Sequence, residues 1–222
     1  MSRQSVHASG KRIVVLAGES SNDRRMLAAL IKANHPALAD TVTLTEITDQ
    51  VRLRKKSGTD LSTAATTLVK KACGKARQKN GLFVGIAVHE DMDASPGPAY
   101  DLARRTVSAA LAKAAGTNST AYALAAAESE AWLLLFPDAF PLVHRSWSIP
   151  AQLRGKDTGR RRTPNEDLIG ALSTPGYRES DGPVILTEAL KRGMLTHPEG
   201  SNRSYSEFLA DLAKWQPAAP QR

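Results

Sequence analysis

The sequence predicts an α/β fold, a mostly parallel β-sheet flanked by helices, followed by a helical C-terminal extension. Three observations lead there. Strand-like and helix-like segments alternate through residue 140, the pattern of βα units. The run Ile13-Val14-Val15-Leu16-Ala17 is apolar without a break, as expected of a parallel strand buried on both faces. Two such runs are followed directly by acids: 13–18 by Glu19 with Asp23 four residues on, and 82–88 by His89-Glu90-Asp91-Met92-Asp93.

The elements follow in order. Residues 1–11 read as a disordered lead-in, and 13–17 as the first strand. Ser20-Ser21-Asn22 forms a turn and offers an N-cap. A helix follows over 23–34, with Met26, Leu27, Leu30 and Ile31 on one face, and His35-Pro36 ends it. Residues 41–47 alternate and are β-branched, a second strand. The basic stretch 49–60 reads as exposed. An alanine- and lysine-rich helix is expected over 61–79, stopped by Asn80-Gly81. The third strand is 82–88. After the loop Ser95-Pro96-Gly97-Pro98, a helix is expected over 99–115, stopped by Gly116. A fourth strand at 120–126 and a short helix at 128–136 complete the first region. Beyond residue 140 the chain is rich in Pro, Gly and Arg, with helices expected at 165–172, 184–192 and 205–215. The segment Ser204-Tyr205-Ser206-Glu207 matches a capping box. The division that follows is 12–140 for the metal-binding α/β region and 141–222 for a loop-rich, basic and helical extension.

Composition narrows the function. A chain of 222 residues with a formal net charge of +8 favours polyanionic partners such as nucleic acid. Simple solubility is the plain alternative. Cys73 is the single cysteine, so no internal disulfide or cysteine-rich zinc site is available, in keeping with a reducing cytoplasm. Residues 1–12 lack the apolar core of a secretory signal. No apolar run approaches the roughly 20 residues needed to span a bilayer, since 121–136 is interrupted by Glu128 and Glu130. There is no Walker-type phosphate loop, no G-x-S-x-G elbow and no Cys-His arrangement, so any ATP-driven step belongs to a partner.

The acids carry the chemistry. In open α/β sheets, ligands bind beyond the carboxyl ends of the strands. Mg²⁺ is satisfied by two or three carboxylates and water. Glu19, Asp91 and Asp93 at two such strand ends therefore form a candidate Mg²⁺ or Mn²⁺ site. Alternate residues of Asp91-Met92-Asp93 are expected to point the same way. Two ions about 4 Å apart could activate water and stabilise a leaving oxygen in phosphodiester cleavage. The alternative is that Asp91 and Asp93 are turn acids and Glu19 a helix cap. Asp23 sits in a first helical turn, where an acid is expected in any case. His89 is open to a metal-binding, basic or structural role. Trp132 reads as core rather than as a base-stacking platform. Among the cations, Arg154, Lys156, Arg160, Arg161 and Arg162 form the leading nucleic-acid-binding cluster, with Lys156 a candidate to stabilise a scissile phosphate. Arg52 to Lys56 and the lysines of 70–79 are further basic runs.

The order strand, Glu19, helix, strand, helix, strand, Asp91-Met92-Asp93 resembles the Toprim domain. Topoisomerases, bacterial primases, recombination-repair proteins and overcoming-lysogenisation-defect nucleases share that domain. The spacing of Glu19 and Asp23 matches its first motif, although serine follows the glutamate where the family usually has glycine. Residues 127–134, Ala-Glu-Ser-Glu-Ala-Trp-Leu-Leu, resemble the E-x-E-A-W-L-L segment of small Toprim-like proteins often encoded beside ATPases in antiphage systems. The resemblance covers 13–140, with a weaker likeness at Lys156, Pro164 and 205–215. It implies a Mg²⁺- or Mn²⁺-dependent nuclease using Glu19, Asp91 and Asp93, with Asp23 as a further metal ligand and Glu130 as a further site residue. It also implies an antiphage setting and an ATPase partner. A non-catalytic protein- or nucleic-acid-docking module is the competing expectation. Nucleic-acid type and oligomeric state are left open.

Overall fold

The computed structural model describes residues 11–116 and 119–215; of the expected lead-in at 1–11, residues 1–10 lie outside them and Lys11 belongs to the first strand. The chain runs β1 (Lys11–Ala17), α1 (Ser21–Asn34), α2 (Pro36–Ala39), β2 (Thr43–Glu46), α3 (Gly58–Gln78), β3 (Gly81–Asp91), α4 (Pro98–Ala115) and β4 (Thr120–Ala125). It continues through α5 (Glu130–Leu133), α6 (Phe140–Val143), α7 (Pro164–Ala171), α8 (Gly182–Lys191) and α9 (Arg203–Ala213). The four strands form one sheet in the order β2-β1-β3-β4, and every neighbouring pair is parallel. All strand carboxyl ends therefore lie along one edge. Leu16 pairs with Ala87, and Asp91 with Ala125, so the acids after β1 and at the end of β3 are brought to that edge.

Alternation along β1 divides two cores. Val14 and Leu16 face a layer made by α1 and the C-terminal segment, including Trp132, Ile185, Leu186, Phe208 and Leu212. Ile13, Val15 and Ala17 face the layer of α3 and α4, including Leu61, Ala65, Val107 and Leu111. Both faces are covered, which is why the strand reads as an unbroken apolar run. Residues beyond 140 thus build part of the same core as β1, with α9 lying on β4 and α8 on α1.

Several boundaries differ from expectation for identifiable reasons. The segment 49–60 is exposed only in part: Val51 and Leu53 are buried, and this alternation pins the loop to the α3 layer. The helix expected over 128–136 is reduced to the single turn α5, followed by a short 3-10 turn at Pro137–Ala139. The last helix begins at Arg203, with Asn202 as its cap; the Asn202 side chain accepts from the Tyr205 amide at 3.0 Å. Ser204 is buried instead of capping. Its hydroxyl donates to Asn202 Oδ1 at 2.7 Å and accepts from the Ala126 amide at 3.1 Å and Trp132 Nε1 at 2.8 Å. Trp132 is buried in the core, as expected of its apolar surroundings. No helix among the described residues is long and apolar enough to cross a membrane.

Candidate metal centre

The carboxyl edge of the sheet opens into a cleft of about 320 Å³ whose walls carry seven acids: Glu19, Asp23, Asp91, Asp93, Glu128, Glu130 and Glu179. Among the described residues, no lysine, arginine or histidine lines it. Glu19 is delivered by the β1–α1 turn. Gly18 before it is required by packing, because a Cβ there would stand 2.9 Å from Asp23 Cβ. Ser20 caps α1 with a full capping box: its hydroxyl accepts from the Asp23 amide at 3.2 Å, and Asp23 Oδ2 accepts from the Ser20 amide at 2.7 Å. Asp23 therefore already serves the helix terminus while its side chain borders the cleft.

The end of β3 sorts its residues by side. His89 and Glu90 are both buried and point to opposite faces. Glu90 is held by the Arg54 amide, at 3.2 Å to each carboxylate oxygen, and by the Tyr122 hydroxyl at 3.0 Å. It pins the β2–α3 loop to the sheet. His89 lies on the cleft side, between Asp23 and Asp91 at 3.7 Å from each, with its ring edge-on to Trp132 at 5.7 Å. These distances suit ion pairing rather than hydrogen bonding. Burial opposes charge on the imidazole, but Asp23, Asp91 and Glu19 together raise its pKa to about 9. Burial likewise works against the Asp23 charge, and His89 and Ser20 hold its pKa below the usual value.

Asp91 is the centre of the cluster. Burial first, and then Asp23, Glu130 and Glu19, raise its pKa to about 7 against the opposing pull of His89. Its Oδ1 is buried without a hydrogen-bond partner among the described residues. Asp93 does not continue the strand alternation. β3 ends at Asp91, and Asp93 adopts a left-handed backbone with φ of 58°. Its amide bonds to the Ala127 carbonyl at 2.9 Å, and its exposed carboxylate is ion-paired with Arg54. The chain thus carries both acids to one cleft by a turn, not by the pleat.

Glu130 is buried, accepting from Ser129 Oγ and the Tyr177 hydroxyl at 3.3 Å each; burial and then the neighbouring Glu128 and Glu179 raise its pKa. Glu128 accepts from the Asn165 amide at 2.9 Å, and burial again comes first in raising its pKa. Glu128 carries a sequence signal in the residues around Glu130. Glu179 and Asn165 carry none, since they reach the edge only because the segment beyond 140 folds back over it.

The predicted basic cluster lies elsewhere. None of Arg154, Lys156, Arg160, Arg161 and Arg162 lines the cleft. Arg154 is paired with Asp138 and Glu199, Arg160 with Asp157, and Arg161 with Asp167. Lys156 and Arg162 are exposed.

The donor chemistry fits a hard divalent cation, because the ionisable lining is carboxylate throughout, hydroxyl and amide oxygens stand beside it, and Asp91 Oδ1 is buried without a hydrogen-bond partner among the described residues. Among the described residues, no group of three or more His, Cys, Asp or Glu side chains stands ready to hold an ion. The acids surround the cleft rather than a preformed ion position. Comparison with protein-family models, curated proteins and solved structures finds no match to this chain.

Proposed function

We propose that the chain is a Toprim-like, Mg²⁺- or Mn²⁺-dependent nuclease acting in the cytoplasm. The observation that carries this reading is the cleft at the carboxyl edge of a parallel sheet whose ionisable lining is entirely acidic, with Asp91 Oδ1 buried there without a hydrogen-bond partner among the described residues. Like charges this close raise one another's pKa unless a cation joins them, and the pKa of Asp91 is raised accordingly. Glu19 and Asp91 would be the principal ligands, with Asp93 released from Arg54 as a third and Asp23 as a further one. Glu130 would support the site from α5. A divalent cation there would supply an activated water and neutralise charge on a phosphodiester. The resemblance of 127–134 to small Toprim-like proteins supports an antiphage setting with an ATPase partner.

A docking module is the competing reading. It is favoured by the prior engagement of two acids, Asp23 with Ser20 and His89, and Asp93 with Arg54. The two readings separate in one assay: plasmid, single-stranded DNA and RNA incubated with Mg²⁺, Mn²⁺ or EDTA, beside Glu19→Ala and Asp91→Ala. The nuclease reading expects metal-dependent cutting that falls roughly a hundred-fold or more in either variant, with unchanged circular dichroism. Full cutting by both variants, or none by the wild type with any metal, would overturn it.

A further inference from the structure

Beside the acidic cleft lies a second groove of about 550 Å³, between the N-terminal turns of α3 and α4. Its ionisable lining is entirely cationic, namely Arg54, Lys55 and Lys56, and its floor is apolar, with Leu61, Met92 and Leu102. The two cavities share a wall. Arg54 lines the groove while its guanidinium pairs with Asp93 of the cleft, and Met92 of the groove immediately precedes Asp93. Lys55 and Lys56 make no ion pair with a described residue. Leu102 is 52% exposed, a large apolar side chain with no cover among the described residues.

These lysines stand in an electrostatically poor place. They immediately precede α3, whose positive end is disfavoured for cations. The Ser57 side chain at the N-cap makes no capping hydrogen bond, so it leaves the first-turn amides to other partners. An incoming anion relieves both conditions. The apolar floor and the size of the groove add room for a flat ring, within the usual range of ligand pockets. A third groove shares Lys56 with this one but adds Asp49 and Asp60 to Arg52 and Lys71, so its lining mixes both signs and lacks this bias.

We infer that the α3–α4 groove holds the nucleotide neighbouring the scissile phosphate of a single-stranded nucleic acid, with its phosphate on Lys55 and Lys56 and its base on Leu102 and Met92. The inference rests on the nuclease reading for the word scissile. A single strand is required because a base must leave its stack to reach the floor.

The test is binding of fluorescein-labelled twelve-nucleotide oligothymidine and oligouridine to the full chain, by anisotropy in EDTA across a salt series. Three variants are compared with the wild type: Lys55→Ala with Lys56→Ala, Leu102→Glu, and the charge-matched control Lys70→Ala with Lys79→Ala. The groove double variant is expected to bind about ten-fold more weakly, with a log–log salt slope shallower by roughly 0.7, the value for the one single-strand phosphate that is no longer neutralised. Leu102→Glu should also weaken binding, and the control should stay within about two-fold. Equal losses of affinity in the groove and control variants would overturn the inference. So would failure of the wild type to bind either oligonucleotide, or equal displacement by polyglutamate, which would indicate an acidic protein partner. Cutting with Mn²⁺ is scored separately. If no metal supports cutting while the groove variants still lose binding, the nuclease reading fails and the groove stands as a strand site. If the wild type cuts and the groove variants bind as it does, the groove fails and the nuclease reading stands.

Discussion

His89 and Asp91 sit side by side with opposed preferences, and their pKa directions make a pH prediction. The imidazole is raised from 6.5 to about 9 by acids that outweigh its burial. Its contribution to stability is fully present below pH 6.5 and lost as pH rises through 9. Asp91 is raised from 3.8 to about 7. An acid with a raised folded-state value takes up protons on folding, so it too costs stability as pH rises, here between 3.8 and 7. In EDTA, thermal stability should fall from pH 6.5 to 9 by an amount on the order of a few kcal/mol. His89→Gln should flatten that alkaline limb. A wild-type melting temperature that rises or stays level over the same window would contradict this assignment of charge. The position of His89 was not legible in sequence. A lone histidine next to acids is open to several roles, and only the packing of α1 against β3 places Asp23 opposite it.

At the scale of elements, the informative unit is the junction of β4, α5 and α9. Ser204 satisfies the amide after β4, the indole N–H of α5 and the side chain that caps α9. Ser204→Ala leaves two buried N–H groups without that acceptor, at about 1–3 kcal/mol for each unsatisfied group. A loss of about 2–6 kcal/mol in urea unfolding is expected, and a change below about 0.5 kcal/mol, the scale of an ordinary surface substitution, would refute the role. The sequence motif at 204–207 predicted a helix start within two residues but assigned the wrong function to the serine. Local spacing specifies that a cap is present; it does not say whether the hydroxyl meets its own helix or another element. The same limit explains Asp93. A D-x-D spacing predicts shared direction only while the strand continues, and the left-handed turn at Asp93 depends on hydrogen bonds to the segment after β4.

At the scale of the molecule, the C-terminal segment together with α1 forms one of the two layers that bury the sheet. Ile185, Leu186, Phe208 and Leu212 belong to the core that holds Val14 and Leu16. A fragment ending at residue 140 would expose that face. Its near-ultraviolet circular dichroism signal should be lost and its cooperative unfolding transition abolished, even though it retains the acids of β1 and β3. A cooperatively folded fragment would show instead that the first region is autonomous.

The amino-acid sequence by itself determined the α/β class and the approximate place of each strand and long helix. It also placed Glu19 and Asp91 at strand ends. These depend on local periodicity, turn residues and chain order, which are written along the chain. The tertiary structure alone decided that β3 lies between β1 and β4, that Glu179 joins the acids of the cleft, and that Arg54 pairs with one of them. It also decided that Arg160 and Arg161 are paired away from the cleft. Those facts depend on contacts between residues far apart in sequence. Such contacts follow from which apolar faces can be buried together, a property of the packed whole that no local pattern encodes.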